Sequence, residues 1–154
     1  MSQSSAAISS IAETSAGEFS RNKPDPGITF RGLYYDYAMV IDFNKIEVSV
    51  LPNFKGGEKE FAANMFFDGT NRIFKGRLVP GATIGMHTHE DSCEVIFILE
   101  GQGTIVEKEP GSEIEIVSSV KEGDCLYCPK GYTHSLRNTS SEGDLVFYAA
   151  VPQQ

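Results

Sequence analysis

The sequence predicts an all-β domain, a sandwich or barrel, and three observations predict it. Short runs rich in β-branched and aromatic residues follow one another closely, separated by Gly, Pro, Asn and Asp. Several runs alternate apolar and polar residues, the pattern of a half-buried strand, as in Ile46–Leu51 and Ser112–Val117. No stretch carries a convincing helical period.

A chain of 154 residues has room for one domain with a useful core. Its net charge of -8 and pI near 4.8 argue against a nucleic-acid backbone or an anionic membrane surface as partner. No apolar run approaches the roughly 18 to 20 residues of a membrane span. There is no Lys or Arg before Arg21 and no long apolar segment ahead of it, so no signal peptide is expected and the cytoplasm is the expected location.

Taken in order, residues 1–25 read as a flexible N-terminal tail and linker, rich in Ser and Ala and stiffened at Pro24. Residues 26–154 read as a single domain. Ile28–Tyr34 and Tyr37–Phe43 are candidate strands, followed by Ile46–Leu51 and, after the turn signals Pro52-Asn53 and Gly56-Gly57, by Glu60–Phe67. Asp68-Gly69 is a hairpin signal, from which Arg72–Val79 returns. Thr104–Glu107, Ser112–Val117 and Leu145–Val151 complete the series, and Pro152 ends it. The early strands and the uncovered sheet edges favour a homodimer.

The chemistry concentrates in two stretches. His87 and His89 share a strand face, because side chains alternate. Glu94 would face away in an unbroken strand, but Glu90, Asp91 and Ser92 are turn formers, and the returning strand Cys93–Leu99 can bring Glu94 back. That strand is apolar on both faces except at Glu94. A carboxylate so placed needs a cation, and two imidazoles with a carboxylate suit a first-row transition metal. The second stretch runs Gly123 to Asn138 and holds His134, the last of three histidines.

Gly81, His87, His89, Glu94 and Gly101, then Gly123, Pro129, Gly131, His134 and Asn138, fill every fixed position of the two cupin motifs. The chain thus resembles a small single-domain cupin. The resemblance implies a double-stranded β-helix, or jelly-roll barrel, with a metal on His87, His89, Glu94 and His134. Three imidazoles and a carboxylate make a harder site than a tetrahedral zinc cage, so iron(II), manganese(II) or nickel(II) is expected, with zinc as the remaining candidate.

Other residues are weaker candidates. Tyr132 could present a phenol at the barrel mouth beside His134 as a catalytic group. Lys75 and Arg77 would select an anion if they faced inward, but a solvated face is expected. Met86 and Ile96–Ile98 are candidates for an apolar pocket wall or for core. Cys125 and Cys128 have C-x-x-C spacing, but on a strand they should face opposite ways. Cys93 should turn away from the metal. The expected partner is a small molecule, handled by a dioxygenase-like enzyme. An isomerase- or decarboxylase-like enzyme, a binding or sensor protein, and a purely structural metal are the alternatives.

Overall fold

Alternation of large apolar with polar side chains yields ten strands in the computed structural model, which describes residues 40–154. They are β1 (Val48–Pro52), β2 (Glu60–Phe67), β3 (Arg72–Leu78), β4 (Thr83–Thr88), β5 (Glu94–Glu100), β6 (Gln102–Lys108), β7 (Ile116–Lys121), β8 (Cys125–Cys128), β9 (Thr133–Asn138) and β10 (Leu145–Val151). One sheet has the order β1-β2-β3-β10-β5-β8 and the other β4-β9-β6-β7, and all pairings are antiparallel. This is the expected jelly roll. The expected tail, the candidate strand Ile28–Tyr34 and the first part of Tyr37–Phe43 lie outside the described residues. Phe43–Lys45 is a 3₁₀ turn instead of a strand end, because the Asp42 carboxylate accepts from the Asn44 N–H at 3.1 Å and holds the chain in a turn.

The core lies between the sheets. Phe61 of β2, Phe74 of β3 and Phe147 of β10 pack with ring centroids 5.8 to 6.3 Å apart. Gly76 makes room for them, since a Cβ there would stand 2.5 Å from the Phe147 ring. The predicted hairpin between β2 and β3 forms as expected. The Asp68 carboxylate accepts from the N–H groups of Thr70 and Asn71, and Gly69 takes φ +101°.

Ser112–Val117 is corrected. The strand starts only at Ile116, because the Ser112 hydroxyl accepts from the Ile114 N–H at 3.0 Å and makes a local turn. Both faces of this segment are open to solvent, so its alternation does not mark a half-buried strand. Ile114 is 74% exposed and Val117 63%.

Asn138 fastens the end of β9. It is fully buried, donates to the carbonyls of Leu78 at 2.8 Å and Gly143 at 2.9 Å, and accepts from the Ser140 N–H at 2.9 Å. Among the described residues no helix is long and apolar enough to cross a membrane. Removing the Asn138 amide strands these groups, at about 1–3 kcal/mol for a buried unpaired one. Asn138→Ala should therefore lower stability by at least about 2 kcal/mol, read from the denaturant midpoint at constant slope.

Candidate metal centre

The two sheets meet around three histidines and one glutamate. His87 on β4 pairs with His134 on β9 in the four-stranded sheet, while Glu94 opens β5 in the six-stranded sheet. Between β4 and β5 the chain crosses from one sheet to the other, and His89 sits in that crossover. The turn expected at residues 90–92 does bring Glu94 back to the histidines, though as a crossing between sheets.

A β-bulge aims the first histidine. Ile84 pairs with Leu136 and His87 with His134, so β4 carries one extra residue between them. Without it, Ile84 and His87 would face opposite ways. With it, Ile84 enters the core, His87 enters the site, and Met86 turns outward to 39% exposure. Gly85 in the bulge allows close approach of the turn at Phe54–Gly56, since a Cβ on it would stand 2.2 Å from the Lys55 carbonyl oxygen. The Gly85 carbonyl in turn accepts from His87 Nδ1 at 2.9 Å.

That hydrogen bond fixes the tautomer and leaves His87 Nε2 with its lone pair. The His89 Nδ1 is held by the Ser92 hydroxyl at 2.9 Å, and the His89 backbone is pinned by Tyr132 and Gly131. The His134 Nδ1 is buried and has no hydrogen-bond partner. The opposite edges of the rings converge. His89 Nε2 lies 3.1 Å from Glu94 Oε2, His134 Nε2 lies 2.9 Å from the same oxygen, and the two nitrogens are 3.0 Å apart. Ligand atoms of all four residues lie within 4.8 Å of one another.

Such a cluster of lone pairs, with His89, Glu94 and His134 each at most 7% exposed, could hold a cation. For a cation about 2.1 Å from each donor, right-angled neighbours stand about 3.0 Å apart and tetrahedral ones about 3.4 Å. The three spacings among His89, Glu94 and His134 lie nearer the right-angled value.

The electrostatics agree. Burial pushes the Glu94 carboxyl up, but hydrogen bonding to His134 and His89 outweighs it and brings the group down to about 2, so it stays ionised. Burial lowers His87 below the usual histidine value, against the pull of the Gly85 carbonyl, so it is neutral at neutral pH.

His87, His89 and Glu94, but not His134, line a cavity of about 450 Å³ that Leu51, Phe61, Met65 and Phe74 also wall, with Lys55 and Arg72 on its lining. Sequence reasoning missed both cations, because contact among β1, β2 and the Phe54–Gly56 turn is invisible in local pattern. Lys75 and Arg77 lie on the outer sheet face, opposite buried Phe74, Gly76 and Leu78, and Arg77 pairs with Asp144 at 3.0 Å. Tyr132 is half-buried, and its side chain is not among those lining the cavity; its carbonyl accepts from the His89 N–H at 3.1 Å. Nor do Met86 or Ile96–Ile98 line it: Ile96 and Ile98 are core and Phe97 is 52% exposed.

Cys125 is exposed while Cys128 is buried, as strand alternation requires, and all three cysteines are free. Burial, with the nearby charges of Glu94 and Glu107, drives the Cys128 thiol up to about 12. Cys93 lies outside the quartet, and its sulfur accepts from the Gln154 amide at 3.3 Å.

Residues 74–151 match the family model described as Cupin domain. The oxalate-binding protein of Thermotoga maritima is 30% identical over 120 residues, 74% of this chain and 93% of that protein. The crystal structure of a predicted oxalate decarboxylase from Thermotoga maritima superposes with a TM-score of 0.65 at 27% identity, over 75% of this chain and all of that one. Drosophila melanogaster CENP-C bound to CAL1 shares the fold at 17% identity, with a TM-score of 0.58 over 71% of this chain and 82% of that one.

Overpacking of this sort costs about 1–3 kcal/mol. Gly85→Ala should lose that much stability and weaken divalent-metal uptake, since the shifted carbonyl no longer orients His87. Met86→Ala, on the outer side of the same bulge, should change neither. Equal denaturation midpoints for Gly85→Ala and the parent would mean that the turn does not rest on β4 as described.

Proposed function

We propose that this chain, which belongs to the cupin family, holds a divalent transition metal on His87, His89, Glu94 and His134 and acts with it on a small organic acid. The observation that carries this reading is the convergence of Glu94 Oε2 with the Nε2 atoms of His89 and His134 at 2.9 to 3.1 Å, beside a ligand-sized cavity that His87, His89 and Glu94 line. When bound, such a cation would supply Lewis acidity toward a carboxylate and, if redox-active, a path for electrons from the organic substrate to dioxygen.

The chain's own residues have distinct tasks. Glu94 is held ionised, so it serves as a ligand and not as a general acid. The Gly85 carbonyl and the Ser92 hydroxyl orient the rings of His87 and His89. The apolar wall of Phe61, Met65 and Phe74 keeps bulk water from the ligand.

The names of the Thermotoga relatives support carboxylates as the bound class. They weigh decarboxylation alongside oxygenation, and the name of the first also supports binding without turnover. Product formation from a saturating acid separates enzyme from binding protein. A structural metal fits less well, because His87, His89 and Glu94 line the cavity. Iron(II), manganese(II) and nickel(II) suit the right-angled donor spacing better than zinc.

His134→Ala and His87→Ala should each lower the metal content of anaerobically purified protein by at least about tenfold, measured by elemental analysis. Unchanged content would refute the assignment. Binding requires neutral imidazoles and an ionised carboxylate. Glu94 stays ionised and His87 titrates below its usual value, so metal affinity should hold near neutrality and fall on the acid side of about pH 6.5. Metal titrations across that range check the sign.

A further inference from the structure

Lys55 and Arg72 line the same cavity as His87, His89 and Glu94, and neither has a carboxylate within ion-pair distance among the described residues. Arg77, Lys108 and Arg137, elsewhere on the surface, are each paired with an acid, whereas among the described residues Lys59, Lys75 and Lys121 have no such partner, so it is the place of Lys55 and Arg72 on the cavity lining that marks them. The two cavity cations rest on aromatic faces instead. The Arg72 guanidinium lies 4.8 Å from the Phe67 ring centroid and the Lys55 ammonium 5.7 Å from that of Phe54. An aromatic face steadies a cation without neutralising it. Besides Glu94, Glu90 is the one acid on the lining.

The backbone that delivers Lys55 is strained. Asn53, Lys55 and Lys59 all take left-handed φ, at +50°, +57° and +60°, which a non-glycine residue adopts at a free-energy cost. The turn is held there by its seat on β4, where a Cβ on Gly57 would stand 1.8 Å from the Thr83 carbonyl oxygen. A strained backbone that sets an unpaired cation on a cavity wall is a mark of a ligand contact. Two cations on one wall complement an acid through their local field, which acts at short range against the chain's net charge of -8.

Size and polarity add the second half of the argument. The cavity of about 450 Å³ lies in the range that holds drug-sized molecules, far more than a two-carbon diacid fills. Leu51, Phe61, Met65 and Phe74 make an apolar wall that oxalate could not use. These residues, with Lys55, stand outside or at the edge of the region that matches the family model, which begins at residue 74.

We infer that the cavity selects an amphipathic organic acid, with its anionic group met by Lys55 and Arg72 and its apolar body laid against Phe61, Met65 and Phe74. This rests on the proposed function only in placing the ligand in the cavity beside the metal quartet.

Calorimetric titration of the full chain, both metal-loaded and chelator-stripped, with phenylacetate, phenylacetamide and oxalate tests it. In the stripped protein, phenylacetate should bind at least about tenfold more tightly than oxalate or the neutral amide. Arg72→Gln and Lys55→Gln should each weaken phenylacetate about tenfold, the scale of one charge-assisted contact. Arg77→Gln, on the outer face of the same strand, should leave it unchanged. Absent phenylacetate binding, a preference for oxalate in the stripped protein, or indifference to both cavity substitutions overturns the inference. Elemental analysis of the parent reads the metal assignment separately, so normal metal content with failed phenylacetate binding leaves the proposed function standing. Intact phenylacetate binding without metal uptake has the opposite meaning.

Discussion

Three electron-rich atoms held about 3 Å apart inside a protein repel one another unless positive charge lies among them. Glu94 Oε2 and the Nε2 atoms of His89 and His134 are in that position, and the surrounding structure is arranged to keep them there. Separate sheets supply the donors, so relief of the repulsion by drawing apart would mean prising the sandwich open. The aromatic packing of Phe61, Phe74 and Phe147, buried almost completely, resists that. A site that cannot relax must be neutralised, by shared protons or by a cation. The Gly85 carbonyl takes the Nδ1 proton of His87, which leaves the Nε2 of that ring free for a cation.

Local backbone preference gives way at two neighbouring places, and both serve the site. One is the bulge at Gly85, where an extra residue breaks the pairing of β4 with β9. The other is the segment from Asn53 to Lys59, with three left-handed non-glycine residues. They touch, because Gly85 and Gly57 lack the side chains that would keep the two backbones apart. The orientation of His87 and the position of Lys55 therefore share one mechanical support. A change in either segment reaches both the donor set and the ligand wall.

Much of the fold was legible from alternation and turn residues. Glu60–Phe67 and Leu145–Val151 coincide with β2 and β10, because each buries one face and ends at a strong turn or stop. The four donors were legible too, since His-x-His parity and a polar turn place three of them and the motif likeness names the fourth. What failed had a common cause. Met86 was a candidate for pocket wall or core on its apolar character alone, which does not say which face of β4 it takes. Ser112–Val117 alternates for want of any burial, so its pattern carried no information about facing. Lys55 and Arg72 could not be found from sequence, because their proximity depends on distant strands closing over one cavity. Tyr132 sits near the right strand, but a turn directs its carbonyl, and not its ring, to the work of holding His89.

The division between family region and remainder has a physical consequence. His87, His89, Glu94 and His134 all lie within residues 74–151, and so do most strands that hold them rigid. The opposite wall, from Leu51 through Met65 to Arg72, is built by β1, β2 and the start of β3, before that region or at its border. On the proposed function, metal affinity and ligand choice would therefore draw on different segments of the chain. Apart from the Asn53–Lys59 turn, which rests on Gly85, that wall can change in size and charge while β4, β5 and β9 hold the quartet. The wall that faces these residues is apolar over Leu51, Phe61, Met65 and Phe74 and carries Lys55 and Arg72, neither of which has an ion-pair partner among the described residues.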